Sequence, residues 1–298
     1  MAVDCKITVE FFEPSPALEP YLTSFYCTEI ECGPGTIVED YLHPEWAAMR
    51  FTEGPPPIAC IGPGEMVPQW SFVANGPTSE SIHFGAAASR IWGLGLQPAG
   101  WSKFIDCAAD ELANTTVNGS SHPAFAVFAG LSEIIFDGTG DSTAEAARID
   151  SYLMQYVDLP APKEAQILAC QEALRDPETA TVVELSEKVG LGTRSLERLC
   201  KRYFGFTPKK LLQRQRFLRS LAQYMLEPSL TWSDALDDQY YDQPQFVRDF
   251  RSFMGMSPRA YADLPHPILN PIMRQRMVDQ GAADPLDLPT IARYSQEG

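Results

Sequence analysis

Thr193-Arg194-Ser195-Leu196-Glu197-Arg198-Leu199-Cys200-Lys201-Arg202-Tyr203-Phe204-Gly205-Phe206-Thr207-Pro208 is the most informative run in this 298-residue chain. Leu196, Leu199, Cys200 and Tyr203 recur at helical spacing and share one stripe of a helix starting at Thr193. Arg194, Glu197, Arg198 and Lys201 form the opposite, outward stripe. Gly205 stands where a left-handed cap ends such a helix. Upstream, Val182, Leu185, Ser186 and Val189 lie on one face of a shorter helix after Thr181, and Gly190-Leu191-Gly192 makes a tight turn between the two. Two short helices, a glycine turn and a basic second helix describe a helix-turn-helix unit. The plainer alternative is a basic amphipathic helical domain with a solvated face, because helix-glycine-helix patterns are common.

Charge separates the two readings better than spacing does. The whole chain carries a formal net charge of −16, which argues against a nucleic-acid partner until the charge is mapped. Residues 1–162 hold five basic residues against twenty-one acidic ones, whereas 163–264 hold fifteen against fourteen. From Arg194 to Arg219 there are nine basic residues and one acid, Glu197. DNA affinity depends on such a local field, which displaces counterions, and not on the total. Arginine on the outward stripe suits guanine O6 and N7, and Glu197 suits cytosine N4. Gly205-Phe206-Thr207-Pro208 leads into a further helix whose first turn holds Lys209 and Lys210, where helix N-terminal amides also favour phosphate.

Working outward, Pro160-Ala161-Pro162 reads as a linker, with a helix over 164–175 beyond it. The preceding residues are rich in glycine, proline and aromatics, with short apolar runs such as Ile58-Ala59-Cys60-Ile61, Phe72-Val73 and Ile91-Trp92-Gly93-Leu94-Gly95-Leu96 between turns. The expected fold class is therefore α+β: a β-rich N-terminal domain over 1–160, with a small barrel as one arrangement and helices from about 124 to 157, then an all-α domain over 163–264. Residues 265–298 hold five prolines without amphipathic pattern and are expected to be an irregular tail, docked or partly disordered. The seven cysteines show no Cys-x-x-Cys pair and read as reduced thiols of a cytoplasmic protein. No secretory signal and no run of eighteen apolar residues is present, so no membrane partner is expected.

Tyr240-Tyr241-Asp242-Gln243-Pro244-Gln245-Phe246-Val247-Arg248-Asp249-Phe250-Arg251, followed by Gly255-Met256-Ser257-Pro258-Arg259-Ala260-Tyr261, resembles the C-terminal signature of the AraC/XylS family of transcriptional regulators. Arg194-Ser195-Leu196-Glu197-Arg198 and Gly205-Phe206-Thr207-Pro208 match the same family, so the resemblance spans about 180–262 with a doubled Gly-x-[Ser/Thr]-Pro. It implies seven helices forming two helix-turn-helix subunits, joined by a linker helix from about Pro208 to Leu226. Each reader helix then enters one of two adjacent major-groove segments, about one turn apart. Arg194, Glu197 and Arg198 are implied base contacts of the first reader helix, 193–203. Gln243, Gln245 and Arg248 are those of the second, which begins near Asp242. Lys201, Arg202, Lys209, Lys210 and Arg251 are the expected phosphate contacts, and Phe246, Phe250 and Phe253 read as core. The second unit departs from the family: Gln239 stands at a position where a glycine is usual, Asp234 stands where an apolar residue is usual, and residues 227–263 have a net charge of −4.

Pro14-Ser15-Pro16-Ala17-Leu18, His43-Pro44-Glu45-Trp46 and Gly93-Leu94-Gly95-Leu96-Gln97-Pro98 resemble, less specifically, the sensor-like domain of some family members. That resemblance implies an effector or association role and names no ligand. Trp46, Trp70, Trp92 and Trp101 are weak candidates for an effector pocket, against the commoner reading of an aromatic core. A metal site from His43, Glu45 and His83 is a minor alternative; no zinc motif, nucleophile elbow or phosphate loop occurs, so no catalytic residue, metal or cofactor is expected. The expectation is a non-enzymatic, sequence-specific regulator, cytoplasmic and nucleoid-associated. Double-stranded DNA is its partner, with a small-molecule effector, a second copy of the chain and RNA polymerase as further candidates. A protein-binding anti-regulator that has lost operator binding is the competing reading.

Overall fold

The computed structural model describes residues 5–226, 231 and 234–279. The described residues hold ten strands, all but the last ahead of the first helix: β1 (Lys6–Phe12), β2 (Leu22–Glu31), β3 (Val38–Leu42), β4 (Ala47–Glu53), β5 (Ile58–Ile61), β6 (Val67–Pro68), β7 (Phe72–Asn75), β8 (Ile82–Ala86), β9 (Ser89–Leu96) and β10 (Thr116–Asn118). They form two antiparallel sheets, a six-stranded one in the order β1-β2-β9-β4-β7-β10 and a four-stranded one in the order β3-β8-β5-β6. Among the described residues no ladder joins the two, so they stack as separate sheets and the barrel arrangement is corrected.

Period-two alternation decides what each face does. Phe25 and Cys27 on β2, Met49 and Phe51 on β4, Phe72 and Ala74 on β7, and Trp92 and Leu94 on β9 all point into one core. That core is closed by α1 (Pro98–Phe104), α2 (Ala126–Ala129), α3 (Leu131–Ile134) and α4 (Ser142–Met154). The alternate residues, Tyr26, Arg50, Thr52, Val73 and Ile91, face the four-stranded sheet. Gly93 belongs to that second face because a Cβ there would stand 2.0 Å from Cζ of Tyr26. Cys5 and Cys32, one step beyond the Lys6↔Glu31 pair, are joined by a disulfide with Cα atoms 4.6 Å apart. This corrects the all-thiol expectation: the hairpin sets opposite one another two cysteines that are 27 residues apart in sequence.

The helical region follows as α5 (Glu164–Arg175), α6 (Val182–Val189), α7 (Thr193–Phe204), α8 (Pro208–Leu226), α9 (Gln243–Met254) and α10 (Pro258–Ala262). The doubled Gly-x-[Ser/Thr]-Pro has a direct structural meaning. Gly205 (φ +81°) and Gly255 (φ +71°) end α7 and α9 in the left-handed region. The hydroxyls of Thr207 and Ser257 then accept N–H bonds from Lys210 and Ala260, and Pro208 and Pro258 open the next helices. α6 begins with a reciprocal capping box between Thr181 and Glu184.

Two expectations fail in the second unit and the tail. Thr231 and the residues from Asp234 to Tyr240 carry turns and no helix; the rest of the expected scaffold helix lies outside the described residues. Gln239 is absent from the non-glycine residues with positive φ, so it bears no left-handed strain. The irregular tail is corrected by α11 (Leu269–Asp279), whose Leu269, Ile272 and Met273 are buried with Phe217, Phe250 and Phe253. Residues 280–298 lie outside the described residues.

Candidate nucleic-acid interface and inter-sheet cavity

The first reader helix has the segregation its sequence predicts. Leu196, Leu199, Cys200 and Phe204 of α7 are buried with Ile167 and Leu185, whereas Arg194, Glu197, Arg198, Lys201 and Arg202 are exposed. Burial of one stripe fixes the rotation of the helix and aims the cations outward. Within that stripe Lys201 Nζ pairs with Glu197 at 3.1 Å, one helical turn away. Lys209 is exposed at the start of α8. Lys210 instead lies across the Phe253 ring, 4.3 Å from its centroid, and its half-burial lowers the ammonium's pKa.

The other cations of the 194–219 window are spent inside the fold. Arg214 is fully buried, its guanidinium 3.6 Å from the Trp46 ring centroid, and Nη1 donates to the carbonyls of Glu45 (3.2 Å) and Thr78 (3.3 Å). Among the described residues its Nε and Nη2 have no hydrogen-bond partner, and burial pushes the guanidinium's pKa down, with Glu45 opposing. Arg216 pairs with Asp249 at 2.8 Å and Arg219 with Asp237 at 2.5 Å. The local field is therefore narrower than the sequence count suggests.

In the second reader helix, the Asp242 carboxylate caps α9 by accepting the Gln245 N–H at 2.7 Å, and Gln245 Oε1 accepts the Tyr241 N–H at 3.2 Å. Gln243, Arg248 and Arg251 are exposed, while Gln245 is half-buried. Phe246, Phe250 and Phe253 are core, as their spacing predicts. Tyr241, 93% exposed at the head of α9, is a further contact candidate, which its motif alone does not distinguish from the buried Tyr261.

Both units dock on the β-domain, at different places. The first docks through Trp46, whose ring meets Phe204 at 5.8 Å, and through Tyr21, whose hydroxyl donates to Glu164. The second docks through Ser81: its N–H donates to Phe253 O at 2.7 Å and its hydroxyl to Met254 O at 3.1 Å, with Leu42 and Ile82 packed alongside. α11 returns to the β-domain as well. Asp40 accepts the N–H groups of Ile268 (2.9 Å) and Leu269 (2.7 Å), and His266 Nδ1 lies 2.9 Å from the same carboxylate.

A cavity of about 70 Å³ lies between the sheets, bounded by Ile30, Leu42, Val73, Ile82 and Phe84, and by Ile268 and Ile272 from the C-terminal segment. None of the four tryptophan candidates lines it. Trp92 and Trp101 are core residues whose indoles donate to Glu145 and Cys107 O, Trp46 is held by Arg214, and Trp70 is 41% exposed. His43, Glu45 and His83 are not gathered: His43 meets Tyr261 OH at 2.6 Å, Glu45 meets Arg50, and His83 meets Glu39.

Residues 185–263 match a family model described as a helix-turn-helix domain. No curated protein matches the chain. Among solved structures, ToxT from Vibrio cholerae O395 is 7% identical, with 86% of this chain and 96% of that one covered at a TM-score of 0.41. ToxT from strain SCE256 with unsaturated fatty acid bound is 9% identical, with 86% and 94% covered at 0.40. The AraC-like transcriptional activator CuxR is 10% identical, with 73% and 87% covered at 0.27. No helix among the described residues is long and apolar enough to cross a membrane. Two cap-and-proline junctions and an exposed cationic helix fall within the residues that the family model matches, and this C-terminal region is a helix-turn-helix domain.

Proposed function

We propose that this protein is a DNA-binding transcriptional regulator of the AraC type, a one-component switch in the cytoplasm in which α7 reads operator bases and the β-domain holds an effector between its two sheets. The observation that carries the DNA half is the exposed stripe of Arg194, Arg198, Lys201 and Arg202 over a buried leucine stripe. Arg194, Glu197 and Arg198 are the base readers, and Lys201, Arg202 and Lys209 hold phosphate. On α9, Gln243 and Arg248 read bases beside the exposed Tyr241, Arg251 holds phosphate, and Gln245 acts first as a cap. The effector half is supported by the cavity's position: its wall includes Ile268 and Ile272, and Ile272 is also part of the core of the second unit. A ligand that moves this wall acts directly on α8 and α9. Association with a second copy or with RNA polymerase belongs to the same proposal, as does the absence of a catalytic step.

Recovery of bound fragments from genomic DNA supplies the operator, and titration of that operator tests the reader. Arg194→Ala or Arg198→Ala is expected to cost about 1–3 kcal/mol of specific binding and to relax discrimination at one base position. Undiminished discrimination in Arg198→Ala would reassign the helix. A full-length protein that recovers no specific DNA would favour the anti-regulator reading, which the acidic second unit motivates.

A further inference from the structure

The cavity's walls specify the chemistry of what fills it. Arg50 is the cation that lines it, and its charge is already cancelled. Nη2 donates to both Glu45 oxygens, at 2.7 and 3.0 Å, Nη1 to Asn75 Oδ1 at 3.1 Å, and Nε to Tyr26 OH at 3.0 Å. Burial alone would lower the Arg50 pKa; Glu45 and the Tyr26 oxygen outweigh it and hold the guanidinium above its ordinary value. A carboxylate entering here meets a neutralised arginine beside a buried glutamate, and like charges in a desolvated site repel.

Two other polar atoms of the lining are buried without a hydrogen-bond partner among the described residues: the Thr52 hydroxyl and the Gln69 side-chain carbonyl oxygen. Gln69 cannot rotate to relieve this, because its amide nitrogen donates to Ala59 O at 3.2 Å and Val67 O at 2.9 Å. Unpaired polar atoms in a buried, largely apolar wall discriminate strongly between ligands that satisfy them and ligands that do not.

We propose, resting on the effector-site reading, that the inter-sheet cavity takes an uncharged, largely apolar molecule bearing a hydroxyl or N–H group, which bonds the Gln69 carbonyl oxygen or the Thr52 hydroxyl. Its present volume of about 70 Å³ is below the roughly 150 Å³ that admits one benzene ring. A ring-sized ligand therefore enters by displacing the wall, and the C-terminal segment carrying Ile268 and Ile272 is its lid.

Three probes of similar size separate the chemistries: phenol, toluene and benzoate, titrated calorimetrically into the full chain, its Thr52→Val form and its Ile272→Ala form. Phenol is expected to bind about fivefold to tenfold more tightly than toluene or benzoate, the worth of one net hydrogen bond. Thr52→Val exchanges the hydroxyl for a methyl group: a reduced preference assigns the ligand's bond to Thr52, and an undiminished one assigns it to the Gln69 carbonyl oxygen. Ile272→Ala enlarges the cavity and should tighten phenol binding while keeping the order of the three. Benzoate binding most tightly, or toluene equalling phenol in both the parent and Ile272→Ala, overturns the ligand class and leaves the site standing. If none of the three binds either form, the site itself falls, and the effector reading with it. Phenol binding with the expected preference, but with operator affinity unchanged at saturation, upholds the ligand class and removes the effector reading alone.

Discussion

Arg214 shows at the scale of one residue why a count of basic residues is not a map of a DNA-binding face. It lies in the densest basic window of the chain, yet its guanidinium is sandwiched against Trp46 with two donors unpaired. Its burial is costly, and the ring contact and two carbonyl bonds offset part of that cost. Arg214→Met keeps the length of the side chain and removes the buried charge. Stability should then stay within about 1 kcal/mol of the parent, since replacing buried charge by packed apolar atoms is often neutral or better. The slope of log affinity against log salt should not move at all. Lys209→Ala, at an exposed position in the same helix, should flatten that slope by about 0.9. Operator titrations at several salt concentrations distinguish the two; a flattened slope for Arg214→Met would mean that α8 turns its inner face to DNA.

At the scale of elements, the sequence marks whatever is written locally. α6 and α7 begin and end, and α8 begins, where the caps, glycines and prolines place them, and the strands at Ile58–Ile61 and Ser89–Leu96 follow from short apolar runs between turns. Nothing local marks α11, whose Leu269, Ile272 and Met273 find their apolar partners on α8 and α9, or the Asp40 carboxylate that receives its first N–H groups. The cavity was equally hidden, because Thr52 and Gln69 become neighbours of one space only when two sheets stack. Gln239 is a related case. The glycine usual at its position implies a left-handed turn that would strain a Cβ, but in this chain the backbone takes another turn: Gln239 N–H donates to Asp237 Oδ1 at 3.0 Å, its amide nitrogen donates to Pro177 O, and Oε1 accepts from Arg219 at 3.2 Å. Gln239→Gly should accordingly destabilise the protein by about 1 kcal/mol, through lost bonds and added unfolded-state entropy. A rise in melting temperature would restore the strained turn.

Across the whole molecule, the β-domain grips each reading unit separately, so the two reader helices are held by one body and not only by α8. Asp40 is the point where this body also holds the chain beyond the second unit. Asp40→Ala leaves two amide groups and His266 without their acceptor, and should release α11; faster proteolytic cleavage near 264–269 and a stability loss of about 1–3 kcal/mol are the expected signs. The two units also differ in charge. The first presents Arg194, Arg198, Lys201, Arg202 and Lys209 to solvent. The second presents Arg248, Arg251 and Arg259 among exposed Asp234, Asp238, Asp242 and Asp263. Each neutralised phosphate contributes about 0.9 to the salt slope on B-form DNA, and nearby carboxylates subtract from the field that attracts it. Alanine at Arg194, Arg198 or Lys201 should therefore flatten the slope more than alanine at Arg248 or Arg251. Because the β-domain fixes both units, any difference measured this way belongs to the surfaces and not to the units drifting apart. Matching slopes for the two sets would mean that α9 contacts the backbone as fully as α7 does, with its aspartates turned away from the DNA.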